Sequence, residues 1–177
     1  LSFNADNEVK IASLGGIEVV LDAMKRHMHD SVVAEQACRV FWNLAANQDD
    51  NKEKIASLGG IEAVLDAMKQ HMHDRGVAKQ ACGVFWTLAA NEDSKEKISS
   101  LGGIEAVLDV IKQHMHDTGV AEQACHALGN LANDSNSKYI IGSKGGIDLV
   151  LEVLQKHEGN KIVTGRVCAA LAALHGN

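Results

Sequence analysis

The sequence predicts an all-α solenoid, a fold in which short helices stack side by side in one continuous array. The first observation is a Gly-Gly-Ile-(Glu or Asp) quartet that recurs four times, at steps of 44, 43 and 43 residues. The second is the helical spacing of apolar residues after each quartet, and the third is the absence of proline from all 177 residues. Repeats of this period are typical of chains whose units bury their apolar faces only against neighbouring units. We therefore expect residues 1–177 to form a single array.

Each repeat unit begins with a short segment that changes from polar to apolar and stops at the glycine pair. In the second unit this segment runs from Asn51 to Leu58 and stops at Gly59 and Gly60. Glycine adopts positive φ at little steric cost, so the pair lets the chain turn sharply where a Cβ would clash. The pattern predicts a two-turn first helix in each unit, over residues 5–13, 50–57, 93–100 and 136–143.

A second helix is predicted directly after each glycine pair. In the second unit, apolar residues at positions i, i+3, i+4 and i+7 form one apolar face, namely Ile61, Val64, Leu65 and Met68. Charged and amide residues occupy the opposite face, as expected of an amphipathic helix. The same pattern predicts second helices over residues 16–27, 60–71, 103–114 and 146–157.

The third helix of each unit is the longest. From Val77 to Ala90, residues at helical spacing predict a buried stripe of Ala78, Ala81, Cys82, Phe85, Leu88 and Ala89. Asp30, Asp74 and Asp117 precede these helices and are predicted N-caps, because a carboxylate accepts hydrogen bonds from the free N–H groups there. Third helices are expected over 31–46, 75–90, 118–132 and 160–174. The units then span approximately 5–47, 48–91, 92–134 and 135–177, with residues 1–4 as the tail of a preceding third helix.

The order of these elements is specific enough to resemble a known family. A unit has about 42 residues, with a short helix, Leu-Gly-Gly-Ile, an amphipathic helix and then Ala-Cys-Arg-Val-Phe-Trp-Asn-Leu-Ala-Ala-Asn. This order resembles an armadillo repeat, and the resemblance covers essentially the whole chain. It implies a right-handed superhelix of about four three-helix armadillo repeats, in which the third helices line a concave groove.

The resemblance also implies a binding surface on the third helices. In this family the asparagine before Leu-Ala often hydrogen-bonds the backbone of an extended peptide, since an amide offers both a donor and an acceptor. The equivalent positions here form a ladder of Asn43, Thr87, Asn130 and Ala173. The residues expected to face a protein or peptide in the groove are Gln36, Arg39, Asn43, Gln80, Thr87, Gln123, His126, Asn130 and Arg166.

Nuclear-import members of the family place a tryptophan four residues before that asparagine, and these tryptophans form slots for lysine stems. The equivalent residues here are Arg39, Gly83, His126 and Ala169, so the slots are absent. A role as an import adaptor for basic signals is therefore disfavoured. Arg39 and Arg166 would repel a basic ligand and would better suit a carboxylate or a phosphopeptide.

The tryptophans stand next to the ladder, and two interpretations remain open for them. Trp42 and Trp86 directly precede Asn43 and Thr87. They either pack at the edge of the core between units or serve as anchors beside the groove, because large amphipathic rings dominate binding hot spots.

One cysteine falls at the same position of each unit, at Cys38, Cys82, Cys125 and Cys168, and the chain has no CxxC pair. Stacked helices lie roughly 8–10 Å apart, which exceeds the roughly 7 Å between Cα atoms that a disulfide tolerates. We expect small buried fillers in a reduced compartment, with no disulfides.

A His-Met-His-Asp motif starts at His27, His71 and His114. Imidazole, thioether and carboxylate groups are all metal ligands. However, these histidines end the second helices, where an imidazole meets unpaired carbonyls and the negative end of the helix dipole. We therefore expect no metal site and no cofactor.

Other function classes are disfavoured by composition and motifs. No apolar stretch approaches the roughly 18 to 20 residues of a membrane-spanning helix. Interspersed charges with a net charge of −6 lack the basic stripe that nucleic acids attract. No Ser-His-Asp or Cys-His constellation, phosphate loop or HExxH motif occurs, so no enzymatic activity is expected.

The sequence thus predicts an intracellular scaffold, cytoplasmic or nuclear, that binds a protein or peptide in a concave groove. The alternative is a structural spacer or self-associating assembly module of a larger protein. Neither end of the chain carries the polar outer face of a solenoid cap. Ile162, Val167 and Leu171 are expected to expose an apolar end through which copies of the chain associate.

Overall fold

The computed structural model describes residues 5–46 and 48–175, which form twelve α-helices and no strand. The first six helices are α1 Ala5–Ser13, α2 Gly16–Arg26, α3 Ser31–Ala45, α4 Asp49–Ser57, α5 Gly60–Gln70 and α6 Arg75–Leu88. The remaining six are α7 Glu92–Ser100, α8 Gly103–Gln113, α9 Thr118–Leu131, α10 Ser135–Ser143, α11 Gly146–Lys156 and α12 Lys161–His175. The all-α prediction is confirmed. Residues 1–4, expected to be the tail of a preceding third helix, lie outside the described residues.

The two glycines of each pair are required for different reasons. Gly59 has φ of 92° and precedes α5 in the left-handed conformation, as the sequence predicts. Gly60 has no positive φ, but a Cβ there would lie 2.7 Å from the backbone oxygen of Ile55. The first glycine therefore turns the chain, and the second lets α5 begin directly against the end of α4.

The predicted N-caps are in place. Asp30 Oδ1 accepts hydrogen bonds from the backbone N–H groups of Val32 and Val33, at 2.9 and 3.1 Å. Asp74 caps α6 and Asp117 caps α9 in the same way. These caps satisfy N–H groups that the first turn of a helix leaves free, which fixes where each third helix begins.

The third helices α3, α6, α9 and α12 pack side by side in that order and form the core with the second helices. Phe41 and Phe85 are fully buried between them. Val167, expected at an exposed apolar end, is also fully buried, because it takes the stripe position of Ala81 and packs toward the preceding third helix.

The cysteine prediction holds for three positions and fails at one. Cys38, Cys82 and Cys125 are buried free thiols, whereas Cys168 is exposed. In the part of the chain that the structure describes, α12 has its main contacts with α9 and α11, so no further third helix covers Cys168. Burial raises the pKa of the Cys38 and Cys125 thiols to about 12.

Histidines join consecutive second helices. Nε2 of His71 donates to the backbone oxygen of Met28 at 2.9 Å, and Nε2 of His114 donates to that of Met72 at 2.8 Å. The imidazole thus meets an unpaired carbonyl, as expected, but that carbonyl belongs to the preceding unit. The His-Met pair of the repeated motif is an inter-unit connection.

Lysines make a second connection at the glycine end of each unit. Lys54 Nζ donates to the backbone oxygen of Ala12 at 2.9 Å and pairs with Glu18 at 2.9 Å. Lys97 repeats this with Ala56 and Glu62. Inter-unit contacts of this kind set how each unit is placed on the previous one, and so determine the surface that the third helices present.

None of the helices in the described ranges combines the length and the apolar composition that a membrane-spanning helix requires.

Candidate binding groove on the third helices

A groove of about 650 Å³ runs across α3, α6 and α9, and Lys52 of α4 also lines it. Its volume is in the range of cavities that bind ligands. Residues of the groove that the sequence singled out are Arg39, Trp42, Asn43, Gln80, Trp86, Thr87, Gln123 and Asn130. The lining does not include Gln36, His126 or Arg166, three other residues expected there. The predicted surface is therefore brought together over the first three third helices.

Three aromatic rings form a row across α3, α6 and α9. The rings of Trp42 and Trp86 meet edge to face, with centroids 6.3 Å apart and planes at 85°. Trp86 stacks on His126, with centroids 4.0 Å apart and planes at 22°. A Cβ on Gly83 would lie 2.6 Å from two carbons of the Trp42 ring, so this ring rests on the backbone of α6. The tryptophans are half-buried and also line the groove, so packing and lining are combined in the same side chains.

His126 and Arg166 are bonded to each other beyond the lining. Arg166 Nη1 lies 3.1 Å from His126 Nε2, and a guanidinium only donates, so the imidazole accepts at Nε2 and carries its proton on Nδ1. Burial and the neighbouring Arg166 charge lower the pKa of His126 to about 4. Arg166 therefore differs from the free ligand-binding cation that the sequence suggested.

Two residues of the ladder, Thr87 and Asn130, form hydrogen bonds within the protein. Thr87 is buried, and its hydroxyl donates to the backbone oxygen of Gly83 at 2.9 Å. Asn130 Nδ2 donates to the backbone oxygen of Trp86 at 2.9 Å, across the interface between α6 and α9. Asn43 is exposed, and its side-chain amide has no hydrogen bond to any described residue; the position equivalent to Trp86 for this amide would precede Leu1.

Two glutamines also present amides at the groove. Gln80 and Gln123 occupy equivalent positions on α6 and α9 and both line it. In each, Oε1 is buried and has no hydrogen-bond donor, and Gln123 is only 6% exposed. A buried acceptor without a donor costs roughly 1–3 kcal/mol. These amides are therefore poorly satisfied as they stand. Gln36 has the equivalent position on α3 and is half-buried.

The charged residues of the lining were mostly not singled out from the sequence. They are Arg39, Lys52, Lys79 and Glu122. Lys79 and Glu122 share one repeat position, which is Glu35 in the first unit. This position directly precedes Gln36, Gln80 and Gln123. Its change from glutamate to lysine and back to glutamate was the sequence signal that could have identified Lys79 and Glu122.

A second cavity of about 460 Å³ lies between α2 and α5, away from the third-helix groove. Its apolar lining includes Met24, Met28, Ala63 and Ala67. None of the residues expected to bind a partner is there. In the described ranges 5–46 and 48–175, no three histidine, cysteine or acidic side chains are grouped so that they could hold a metal ion.

Comparisons with known proteins agree with this architecture. The sequence profile of the family described as "LRRK2 ARM repeat" matches residues 4–175. No protein of curated function matches the chain. Among solved structures, the chain is similar to an engineered protein determined by crystallography as a Northeast Structural Genomics Consortium target, with a TM-score of 0.83 and 23% sequence identity. That match covers 97% of this chain and 67% of the engineered one, and at this identity it is evidence of the fold alone.

Proposed function

The chain belongs to the LRRK2 ARM repeat family, and on that premise we propose that it is a non-enzymatic interaction module that binds an extended segment of another protein. The binding site is the groove across α3, α6 and α9. The observation that carries the proposal is that half-buried Trp42 and Trp86 line this groove together with Gln80 and Gln123, whose buried amide oxygens have no donor among the described residues.

The dimensions of the groove support an extended segment. Packed helices lie roughly 8–10 Å apart, so three neighbouring third helices extend over about 20 Å. An extended chain rises about 3.3 Å per residue, and about six residues would therefore span the groove. A folded partner that contacts only one helix would leave most of this surface unused.

The polar groups of the groove suit a peptide backbone. The amide of Asn43 can donate to a backbone oxygen and accept from a backbone N–H at the same time. A rotation of the Gln80 or Gln123 amide would present its acceptor, now unpaired, to a backbone N–H of the bound segment. Recognition of backbone groups sets the position of the segment, and the tryptophans supply apolar contact area.

The lining favours binding over catalysis. Its hydroxyl group, on Thr87, is already donated to the backbone oxygen of Gly83. A nucleophile needs a base within hydrogen-bond distance, and Thr87 is bonded to its own helix instead. We place the protein inside the cell, where its free thiols would remain reduced.

To test the proposal, a random peptide library is screened for peptides that bind the wild-type chain. The affinity of the selected peptides is then measured for the wild type and for two variants. Asn43→Ala removes an exposed amide of the groove lining, and Gln113→Ala removes an exposed amide at the end of α8 as a matched control. We expect selected peptides to bind Asn43→Ala about fivefold more weakly than wild type, since a lost hydrogen bond costs about 1 kcal/mol. Equal losses in both variants, or a loss only in Gln113→Ala, would count against the groove.

A specific observation also favours the alternative function, a self-associating assembly module. Ile147, Leu151 and Ile162 are 44%, 41% and 59% exposed on α11 and α12. Ile147 and Leu151 lie four residues apart on one face of α11, and neighbouring exposed apolar side chains are typical of interaction surfaces. Light scattering tests it: a concentration-dependent increase in mass that Ile162→Glu abolishes supports assembly, and a monomer at all concentrations opposes it.

A further inference from the structure

We propose that the segment bound in the groove carries an anionic side chain, which Arg39 and Lys79 hold over α3 and α6. Glu122 on α9 repels the same anion and so sets the position of the segment along the groove. The inference rests on the proposed function, and it adds the chemical class of the partner and the orientation in which it binds.

The first step is the balance of charge in the lining. Three basic side chains and one acidic side chain face the groove, although the chain as a whole has a net charge of −6. Lys52 Nζ pairs with Asp49 at 2.8 Å and holds the pKa of that carboxyl below its usual range. The charge of Lys52 is therefore already matched within the protein.

The other two cations have no such partner. Neither the guanidinium of Arg39 nor the ammonium of Lys79 forms an ion pair with any residue that the structure describes. Arg39 is exposed, and Lys79 is half-buried with its stem lying beside Gly119 at the start of α9. Both belong to the same groove of about 650 Å³. A ligand anion is the partner that this arrangement lacks.

The repeat itself shows how this distribution arises. The position of Lys79 is Glu35 in the first unit and Glu122 in the third. The Glu35 carboxylate lies so close to Gly76 that a Cβ there would be 2.5 Å from it, so that charge is placed at the start of α6 and outside the lining. A lysine at this position in the second unit therefore brings a positive charge to the groove between α6 and α9, whereas Glu122 brings a negative charge one repeat unit further along.

This separation of charge matters for the direction of binding. An anionic side chain placed near Arg39 and Lys79 gains two attractive interactions. If the bound segment were shifted along the groove toward the far side of α9, the same side chain would meet Glu122 instead. Repulsion of this kind contributes specificity, because it disfavours the wrong register as well as favouring the right one. A carboxylate and a phosphate both fit, since guanidinium and ammonium groups bind either anion.

The experiment starts from the peptides selected on the wild-type chain and compares them in three charge variants. Arg39→Ala follows the residue at the equivalent position Ala169, Lys79→Glu follows Glu122, and Glu122→Lys follows Lys79. Because each new residue already occurs at that position of another unit, the variants are expected to fold, and circular dichroism checks this. The control is Lys25→Glu, a charge reversal of the same size in the cavity between α2 and α5.

We expect selected peptides to be enriched in aspartate and glutamate. Arg39→Ala and Lys79→Glu should each weaken their binding, and by about tenfold when the two changes are combined; Glu122→Lys should strengthen it by about threefold, and Lys25→Glu should leave it unchanged. Versions of one peptide with glutamate, phosphoserine or serine at the same position separate the two sources of the anion. Serine should bind most weakly.

The outcomes separate this inference from the proposed function. Peptides that lose affinity in Asn43→Ala but respond to none of the charge variants would support the groove and overturn the anionic partner. A library that yields no groove binder would overturn both. Single-stranded DNA that binds with the affinity of the selected peptides, and competes with them, would replace the peptide with a nucleic acid and contradict the proposal.

Discussion

The side-chain amide of Asn130 donates a hydrogen bond of 2.9 Å to the backbone oxygen of Trp86, and it thereby joins α9 to α6. The side-chain amide of Asn43, at the equivalent position of the first unit, makes no hydrogen bond with the described residues. Asn130 therefore holds two neighbouring units together, whereas α3 is the first third helix among the described residues and no carbonyl of a preceding third helix is there for Asn43 to meet.

The first prediction concerns this pair. Asn130→Ala should lower the free energy of unfolding by about 0.5–1.5 kcal/mol, because it leaves the Trp86 oxygen without its donor. Asn43→Ala should change it by less than about 0.5 kcal/mol, as is usual for exposed residues. Urea unfolding of both variants measures the difference. Equal effects would mean that Asn130 is not bonded as described.

The second prediction concerns the glycine under Trp42. Gly83→Ala should destabilise the protein by about 1–3 kcal/mol, because a Cβ 2.6 Å from the indole forces the ring to move. Gly129→Ala is the control, since the nearest atom to a Cβ there is 3.6 Å away. The control should be neutral or gain up to about 1 kcal/mol of helix stability. Urea unfolding and tryptophan emission test both; unchanged emission in Gly83→Ala would contradict the packing.

The third prediction concerns the repeated His-Met-His-Asp motif. His114→Ala should cost about 1 kcal/mol, because it removes the hydrogen bond to the Met72 oxygen of the preceding unit. His116→Ala removes an exposed imidazole that has no hydrogen bond with the described residues, and it should leave the free energy of unfolding nearly unchanged. Thermal unfolding of the two variants distinguishes a structural motif from a pair of equivalent surface histidines. A larger loss in His116→Ala would argue for a different role.

The fourth prediction concerns pH. The pKa of His126 is lowered to about 4 in the folded protein, whereas an unfolded histidine has a pKa of about 6.5. The unfolded chain thus takes up the proton first, so the contribution of His126 to stability is complete above pH 6.5 and is lost as the pH falls toward 4.

His126→Gln provides the comparison, since glutamine is neutral at every pH and still offers an acceptor to Arg166. Urea unfolding at pH 7.5 and pH 5 should show a larger loss of stability on acidification in wild type than in His126→Gln. Other titrating groups affect both proteins equally. Parallel losses would show that the folded imidazole titrates normally.

The helices were predictable from the sequence because their ends depend on local chemistry. A glycine pair such as Gly59 and Gly60, or an N-cap such as Asp74, determines where a helix ends or begins through contacts within a few residues. The predicted bounds consequently agree with the structure to within two residues. The repeat then gives the order in which the helices stack.

The details of the groove were not predictable in the same way, because they depend on how far one unit is displaced from the next. Equivalent positions in the sequence gave Asn130 the same expected role as Asn43, but α9 packs on α6 so that the Asn130 amide lies against the Trp86 oxygen. The same displacement stacks His126 on Trp86 and bonds it to Arg166. Contacts between side chains on neighbouring third helices depend on how the units pack in three dimensions, which the repeat pattern does not specify.

The most direct test of the account uses the fact that the chain has two tryptophans and that both line the groove. Their indole N–H signals can be assigned in a nuclear magnetic resonance spectrum with Trp42→Phe and Trp86→Phe, and then followed as a selected peptide is added. If the groove on the third helices is the binding site, both signals shift and saturate with the same dissociation constant. A peptide that binds while both indole signals remain unchanged would contradict the account.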